Sequence, residues 1–284
     1  MVSFHTLCPM RHLKPALYVF ALNVIISIYL QLNNVLLGFM KDTEAVGYFT
    51  AATKIMVITM SISSALGAVI MPRTSNLIAE ERMDEFKALV QKSYDFIFAL
   101  AMPLMVGLIF TSPSAVLLLS GEGFVPAILT SQIVAFNILT VGLSGVIGIQ
   151  VLYPLGKINI VILCTSIGAI INVFLNVLLI PRYGHNGTAV AYMLAEMTVT
   201  VSMFFIGKRY IPIRFLKRQH LNYVLGSVVM GVCLYFISWL GLGNTATLVM
   251  MISMGGIVYV VILLFLRDSI GMIPWKILRE KFGK

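Results

Sequence analysis

The sequence predicts an all-α, polytopic membrane protein with about eight transmembrane helices. Three observations carry this. Hydrophobic residues make up 59% of the 284-residue chain and charged residues only 11%, against roughly 25% charged residues in a soluble domain. The apolar runs are long enough to cross a bilayer core as helices, and they lack the strand-sized alternation of a barrel. The basic residues fall almost entirely in alternate loops, as they do when topology follows the positive-inside rule. Mean hydropathy is +0.97. The net charge of +9 is therefore assigned to loops facing anionic lipid rather than to nucleic acid. Cys8, Cys164 and Cys233 are too few and too scattered for a disulfide frame or a zinc site, and no cofactor or metal is expected.

Residues 1–15, with Arg11, His12 and Lys14, form a cytoplasmic N-terminal segment. The apolar run 16–40 is too long for a signal-peptide core and has no small-residue cleavage site behind it, so it is a span rather than a removed leader. Along it, Asn23, Ser27, Gln31 and Asn34 recur at steps of four, four and three, which places them on one helical face. Such a stripe either pairs between helices or lines a wet cavity, and both readings stay open. A turn at Lys41-Asp42-Thr43-Glu44 leads to a second span, 46–71, holding Lys54 with Thr50, Ser61 and Ser64 near the same face. An ionisable group inside a span marks a functional site by default, although a lysine near a span end also snorkels outward.

The polar stretch 72–93 places Met83, Phe86, Leu89 and Val90 at helical spacing opposite Glu81, Glu85 and Lys92, the pattern of an amphipathic helix lying on the cytoplasmic membrane surface. The third span, 94–119, starts with Asp95 and carries Pro103 and Pro113, so kinks or a break are expected. The turn Ser120-Gly121-Glu122-Gly123-Phe124 has no strand before it and no Lys-Ser/Thr after it, which excludes a phosphate loop. The fourth span, 125–153, concentrates Gly142, Ser144, Gly145 and Gly148, a signal of close helix packing. Spans five (158–180) and six (187–206) meet at a hairpin. Pro181 is expected to end the first, and Gly184 and Gly187 to permit the reversal. Asn172 and Asn176 share one face of span five, and Glu196 is an ionisable group inside span six. The Asn186-Gly187-Thr188 sequon is read as turn chemistry.

These six helices, 16–206, make one lobe. A basic linker, 207–220, is expected to anchor to lipid headgroups. Two helices follow, 221–241 and 245–266, with only Ser227, Ser238, Thr247 and Ser253 as notable polar groups, and they look peripheral and lipid-facing. A basic tail, 267–284, ends the chain. With the N-terminus inside, 17 of the 20 basic residues lie on the cytoplasmic side; Lys41 and Arg182 are outside and Lys54 is within a span. No paired carboxylates or Ser/His/Asp arrangement stands out, and His5, His12, His185 and His220 lie outside the spans, so the chain does not read as an enzyme.

In this order and spacing, several stretches resemble the bacterial polysaccharide-biosynthesis flippases of the multidrug, oligosaccharidyl-lipid and polysaccharide exporter superfamily. They are Val46-Gly47-Tyr48-Phe49-Thr50-Ala51-Ala52-Thr53-Lys54-Ile55; Met71-Pro72-Arg73 with Glu80; Gly121-Glu122-Gly123-Phe124; and above all Ile170 to Glu196. The resemblance covers most of residues 11–210. It implies that the eight helices are the second lobe and two trailing helices of a protein type with about twelve to fourteen spans in two similar lobes, with Met1–Met10 as a remnant of the linker between lobes. It also implies a bacterial cytoplasmic membrane location with both termini cytoplasmic, and alternating access around a midplane site. The implied cargo is a polyprenyl-pyrophosphate-linked oligosaccharide repeat unit for O-antigen or capsule, handled among membrane lipids with a missing amino-terminal lobe or a second copy as partner. On that reading Asn23, Ser27, Gln31, Asn34, Asn172 and Asn176 give the sugars a hydrogen-bonding path and Lys54 meets the pyrophosphate. Glu196 either couples transport to a proton or sodium gradient or is a structural carboxylate. A drug or cation extruder of the same superfamily would want an acidic cavity. A membrane-bound glycan polymerase would want a large outer loop, which this chain lacks.

Overall fold

The computed structural model describes residues 31–215 and 217–266 together with Leu13, Leu17, Phe20, Val24 and Ser27, and at 62–66 and 68 the backbone alone. Every regular element among them is helical. The first helix, α1, is described over residues 31–40. A turn at Lys41–Asp42 leads into α2 (Thr43–Ala79), where Asp42 caps the helix by accepting from the Ala45 amide at 2.7 Å. Then come α3 (Met83–Ser120), a 3-10 turn (Glu122–Phe124), α4 (Ala127–Val134), α5 (Asn137–Gly145) and a π-helical segment (Val146–Leu152). The chain ends its described part with α6 (Ile158–Gly207), α7 (Arg218–Ser238) and α8 (Asn244–Phe265).

Five of these stretches among the described residues are long and apolar enough to cross a membrane, with α4, α5 and the π-helical segment acting as one. The 50-residue α6 is two antiparallel arms. Its backbone leaves helical geometry only at Gly184, with φ 53° and ψ −130°, a region costly for any residue with a Cβ. A Cβ at Gly187 would lie 2.7 Å from the Leu179 carbonyl oxygen, and one at Gly168 would lie 2.2 Å from a Val199 methyl. The two arms therefore touch along their length. The reversal thus sits at Gly184, three residues beyond Pro181, which is accommodated inside the helix. With α1 and α2, the protein has about eight helices overall.

The expected surface helix over 72–93 is not a separate element. α2 continues through Pro72 to Ala79, the chain turns at Glu80–Arg82, and α3 starts at Met83. At about 1.5 Å per residue, each of these helices is roughly 55 Å long, well over the ~30 Å of a hydrocarbon core. Their joined ends stand beyond it as a helical hairpin. The physical reason is packing: Phe86 and Val90 bury their side chains against Leu77, Ile147 and Val151 rather than against lipid. Arg82 holds the turn together by ion-pairing Glu80 and Glu85, each at 2.7 Å. The guanidinium beside it holds the Glu85 carboxyl below its ordinary value.

Both trailing helices are seated on the lobe: α7 packs along α3 and α8, and α8 also packs on α3. Tyr259 of α8 donates to the Ala99 carbonyl of α3 at 2.6 Å. Their outer faces remain apolar, with Phe236, Trp239 and Phe265 among the most exposed side chains. The linker before α7 is docked rather than simply laid on headgroups. Ile211 and Ile213 are buried in the core beneath it, while Lys208, Arg209, Arg214 and Arg218 stay exposed.

Candidate functional site

The polar residues divide into a buried set and an exposed set. In the buried set, Asn176 donates from Nδ2 to Asn33 Oδ1 at 2.9 Å and to Asn172 Oδ1 at 3.1 Å, and also to the Asn172 carbonyl at 2.9 Å. Asn172 and Asn176 are fully buried and Asn33 is 1% exposed. Asn172 Nδ2, Asn176 Oδ1 and, on the facing arm of α6, Thr188 Oγ1 are buried with no hydrogen-bond partner among the described residues. The face carrying Asn172 and Asn176 is closed within the lobe itself, so the expected open hydrogen-bonding path is not formed there. It is a knot joining α1 to α6, the interhelical use of asparagine. Asn33 is not among the residues expected from the sequence; it stands one position from the Asn34 stripe, and the adjacent pair Asn33-Asn34 is its signal.

The exposed set runs along α1 and α2. Thr50 faces Asn34 at 3.5 Å across the two helices, and both are half-buried. Because the helices run antiparallel, the same register sets Gln31, one turn back on α1, at the level of Lys54, one turn on along α2. Gln31, Lys54 and Ser27 are exposed. Among the described residues Lys54 takes part in no ion pair. Ser61 lies further along the same side and bonds its own helix, donating to the Ile58 carbonyl. Asn23 and the Ser64 side chain lie outside the described residues.

Glu196 sits on the second arm of α6 at 9% exposure. The next turn is tied to α5 by Thr200, whose hydroxyl donates to the Thr140 carbonyl at 3.0 Å and to the Glu196 carbonyl at 2.9 Å. Near the other end of that arm, Thr130 of α4 donates to Asn186 at 2.7 Å. Between these two links lies Asn137 of α5, fully buried with both side-chain polar atoms unpartnered among the described residues. Asn137, like Gln150, which accepts from Ser93 at 2.6 Å, belongs to the broken fourth span. The small-residue pattern there foreshadowed packing but not these buried amides.

A third polar cluster fastens the trailing helices. Asp95, one turn past the end of the projecting hairpin, accepts from Lys217 at 2.7 Å, from His220 Nε2 at 3.0 Å and from Gln91 at 2.8 Å. The Lys217 amide donates to His220 Nδ1 at 3.2 Å, and Gln91 accepts from the Arg214 amide at 2.7 Å. His220 is not in a loop; it lies buried in the first turn of α7, stacked on Phe98 at 4.7 Å between ring centroids. Beneath α7 and α8 lies an apolar cavity of about 670 Å³, walled by Leu100, Pro103, Gly107, Met230, Gly255 and Tyr259 among others.

Among the described residues no group of three or more His, Cys, Asp or Glu is placed to hold a metal ion. The helix order, the hairpin at Gly184 and the two seated trailing helices define one bundle of membrane-length apolar helices. Residues 3–129 match the family described as polysaccharide biosynthesis protein. The chain is 25% identical over 237 residues to a probable low-salt glycan biosynthesis flippase, Agl15, of Haloferax volcanii, covering 83% of this chain and 50% of that protein. It is 22% identical over 173 residues to an uncharacterized membrane protein of Methanocaldococcus jannaschii, covering 61% and 34%. Its fold superposes on the Lipid II flippase MurJ in an inward closed conformation with a TM-score of 0.77 at 18% identity, covering 95% of this chain and 57% of that one. A MOP superfamily transporter from Pyrococcus furiosus superposes with a TM-score of 0.61 at 16% identity, covering 87% and 60%. The chain thus spans about half the length, or less, of the curated relatives it matches. Residues 3–129 thus resemble the polysaccharide biosynthesis protein family, and over most of its length the chain shares the fold of these two solved proteins.

Proposed function

We propose that this chain forms one lobe of a transporter that moves lipid-linked oligosaccharides across the cytoplasmic membrane, with O-antigen or capsule repeat units as the cargo and both termini cytoplasmic. The observation that carries the reading is the exposed strip of Gln31, Asn34, Thr50 and Lys54 on α1 and α2. A diphosphate needs a cation and sugars need donors and acceptors, and this strip offers both on an otherwise apolar lobe. Ser27 extends it, and the four-residue step in the sequence adds Asn23 to the same stripe. The one charge on this strip is a lysine, which disfavours a cation extruder. The path lies between this face and a second lobe, whichever chain or copy supplies it, and alternating access rocks the two around the strip. The relatives with named roles are flippases and a transporter, and the chain acts as a transporter rather than an enzyme.

The buried Asn33–Asn172–Asn176 knot serves this function by holding α1 against α6, so the strip keeps its place. Glu196, buried beside α5, is the candidate for coupling to a proton or sodium gradient. Glu196→Gln tests that role: transport by the variant should lose its dependence on external pH or sodium, and an unchanged dependence removes Glu196 from coupling.

The overall reading is tested in cells lacking the gene, with this chain added back. Complete lipid-linked units should accumulate on the inner leaflet without it and clear when it is present, and Lys54→Ala should abolish clearance at normal expression. No accumulation in the deletion strain would overturn the reading.

A further inference from the structure

Lys41 and Arg182 are the two basic residues that the charge distribution places outside, against 17 inside. They come from different turns, one between α1 and α2 and one at the α6 hairpin, yet they line one pocket of about 340 Å³. Cations on the outer face run against the bias that sets topology, so two of them meeting at a single concavity are not explained by orientation. The two nearby carboxylates each use one acceptor position inside the protein and keep others open. Asp42 caps α2 by accepting from the Ala45 amide at 2.7 Å, and Glu44 accepts from the Tyr48 hydroxyl. Neither Lys41 nor Arg182 takes part in an ion pair among the described residues, and both side chains are exposed.

The walls are aromatic. Tyr48 packs edge-on against Phe124 at 5.6 Å and against His185 at 5.1 Å between centroids. Tyr183 is 59% exposed at the pocket rim. Burial pushes the His185 imidazole below its ordinary value, and its Nε2 faces the Pro126 carbonyl at 3.3 Å. The ring lies against Tyr48 as part of the pocket wall. Donors on two flexible cations, acceptors on two carboxylates and tyrosine rings around a small concavity form a mixed polar and aromatic site. A simple anion hole would lack the carboxylates. A lipid-chain slot would be apolar, as the cavity under α7 and α8 is.

We propose that this outer pocket binds a sugar ring of the glycan, with Arg182 and Lys41 donating to ring hydroxyls, Glu44 accepting, and Tyr183 and Tyr48 presenting ring faces to the sugar's C–H face. The ligand class rests on the transport reading above, while the pocket stands on its own geometry. Its role is to hold the glycan on the side where it is delivered.

The test uses the full chain in lipid nanodiscs, with oligosaccharide released from its lipid carrier by mild acid as the soluble probe and saturation-transfer NMR as the readout. The wild-type chain should bind the oligosaccharide, and Arg182→Gln and Tyr183→Leu should each weaken binding by about tenfold with an unchanged melting temperature. Inorganic pyrophosphate, added as a competitor, should not displace the glycan. Undiminished binding by both variants would overturn the proposal, and so would displacement by pyrophosphate, which would mark an anion site. The same preparations tested for flipping separate the two claims. Glycan binding lost in the rim variants without any flipping by the wild type keeps the pocket and removes the transport reading. Flipping by the wild type with rim binding unchanged in the variants does the reverse.

Discussion

Asn33 and Asn34 are neighbours in the chain and opposites in the structure. Asn33 is 1% exposed and bonded into α6, whereas Asn34 is half-buried and faces Thr50 on α2. A step of one residue turns a helix by about 100°, and that step separates a structural amide from one placed beside a candidate transport path. Residue type alone does not mark a cavity in a membrane protein. Amides used for packing and amides used for cargo are chemically the same, and only burial tells them apart.

The largest expected effect comes from the exposed side of the comparison. Lys54→Ala should bring clearance of lipid-linked oligosaccharide to background while the melting temperature in detergent stays at the wild-type value, because the side chain is exposed and, among the described residues, in no ion pair. A fall in melting temperature would place Lys54 with the structural group instead. On the buried side, Asn176→Leu removes the donor that the buried Asn33 and Asn172 side-chain oxygens share. It should cost about 1–3 kcal/mol of stability, the usual cost of orphaning buried polar groups, and lower the amount of folded protein. Wild-type stability in this variant would break the account of the knot.

A smaller effect sharpens the boundary. Asn34→Ala removes a contact of 3.5 Å, at the outer limit for a hydrogen bond. Clearance should slow several-fold with no change in melting temperature. The smallest effect is expected in the projecting hairpin, far from either asparagine. Glu85 is held below its ordinary pKa by Arg82, so the pair's contribution is present above the unfolded carboxylate value, near 4.3, and is lost as pH falls through the lowered folded value. Both partners are exposed, so Arg82→Ala should shift the melting temperature slightly at neutral pH, and the two proteins should converge in acid.

The class of fold was legible because membrane crossing imposes long apolar runs and asymmetric loop charge, both local properties of the sequence. The α6 hairpin was legible for the same reason, since Gly184 and the polar turn interrupt one apolar run. The reversal falls at Gly184, one of the two glycines expected to permit it, whereas Pro181, expected to end the helix, is carried inside it. The stretch 72–93 misled because an amphipathic pattern reports that one face is apolar and not what covers it; Phe86 and Val90 are covered by protein. Asp95 and His220 are far apart in the chain and meet at 3.0 Å, a pairing no local pattern announces. Of the expected transport residues, Lys54, Gln31 and Ser27 are exposed, Asn34 borders them, and Asn172 and Asn176 are enclosed.

The central claim is that the α1–α2 strip faces water inside the membrane. Lys54 and Ile170 are both exposed on the lobe, Ile170 at 70%, and they give a matched pair. Lys54→Cys and Ile170→Cys, each on a background with Cys8, Cys164 and Cys233 replaced by alanine, are treated in native membranes with a charged, membrane-impermeant maleimide and then with a lipid-soluble one. The account predicts that position 54 reacts with the charged reagent and that added lipid-linked oligosaccharide protects it, while position 170 reacts only with the lipid-soluble reagent. Labelling of position 54 by the lipid-soluble reagent alone would place Lys54 against lipid and contradict the account.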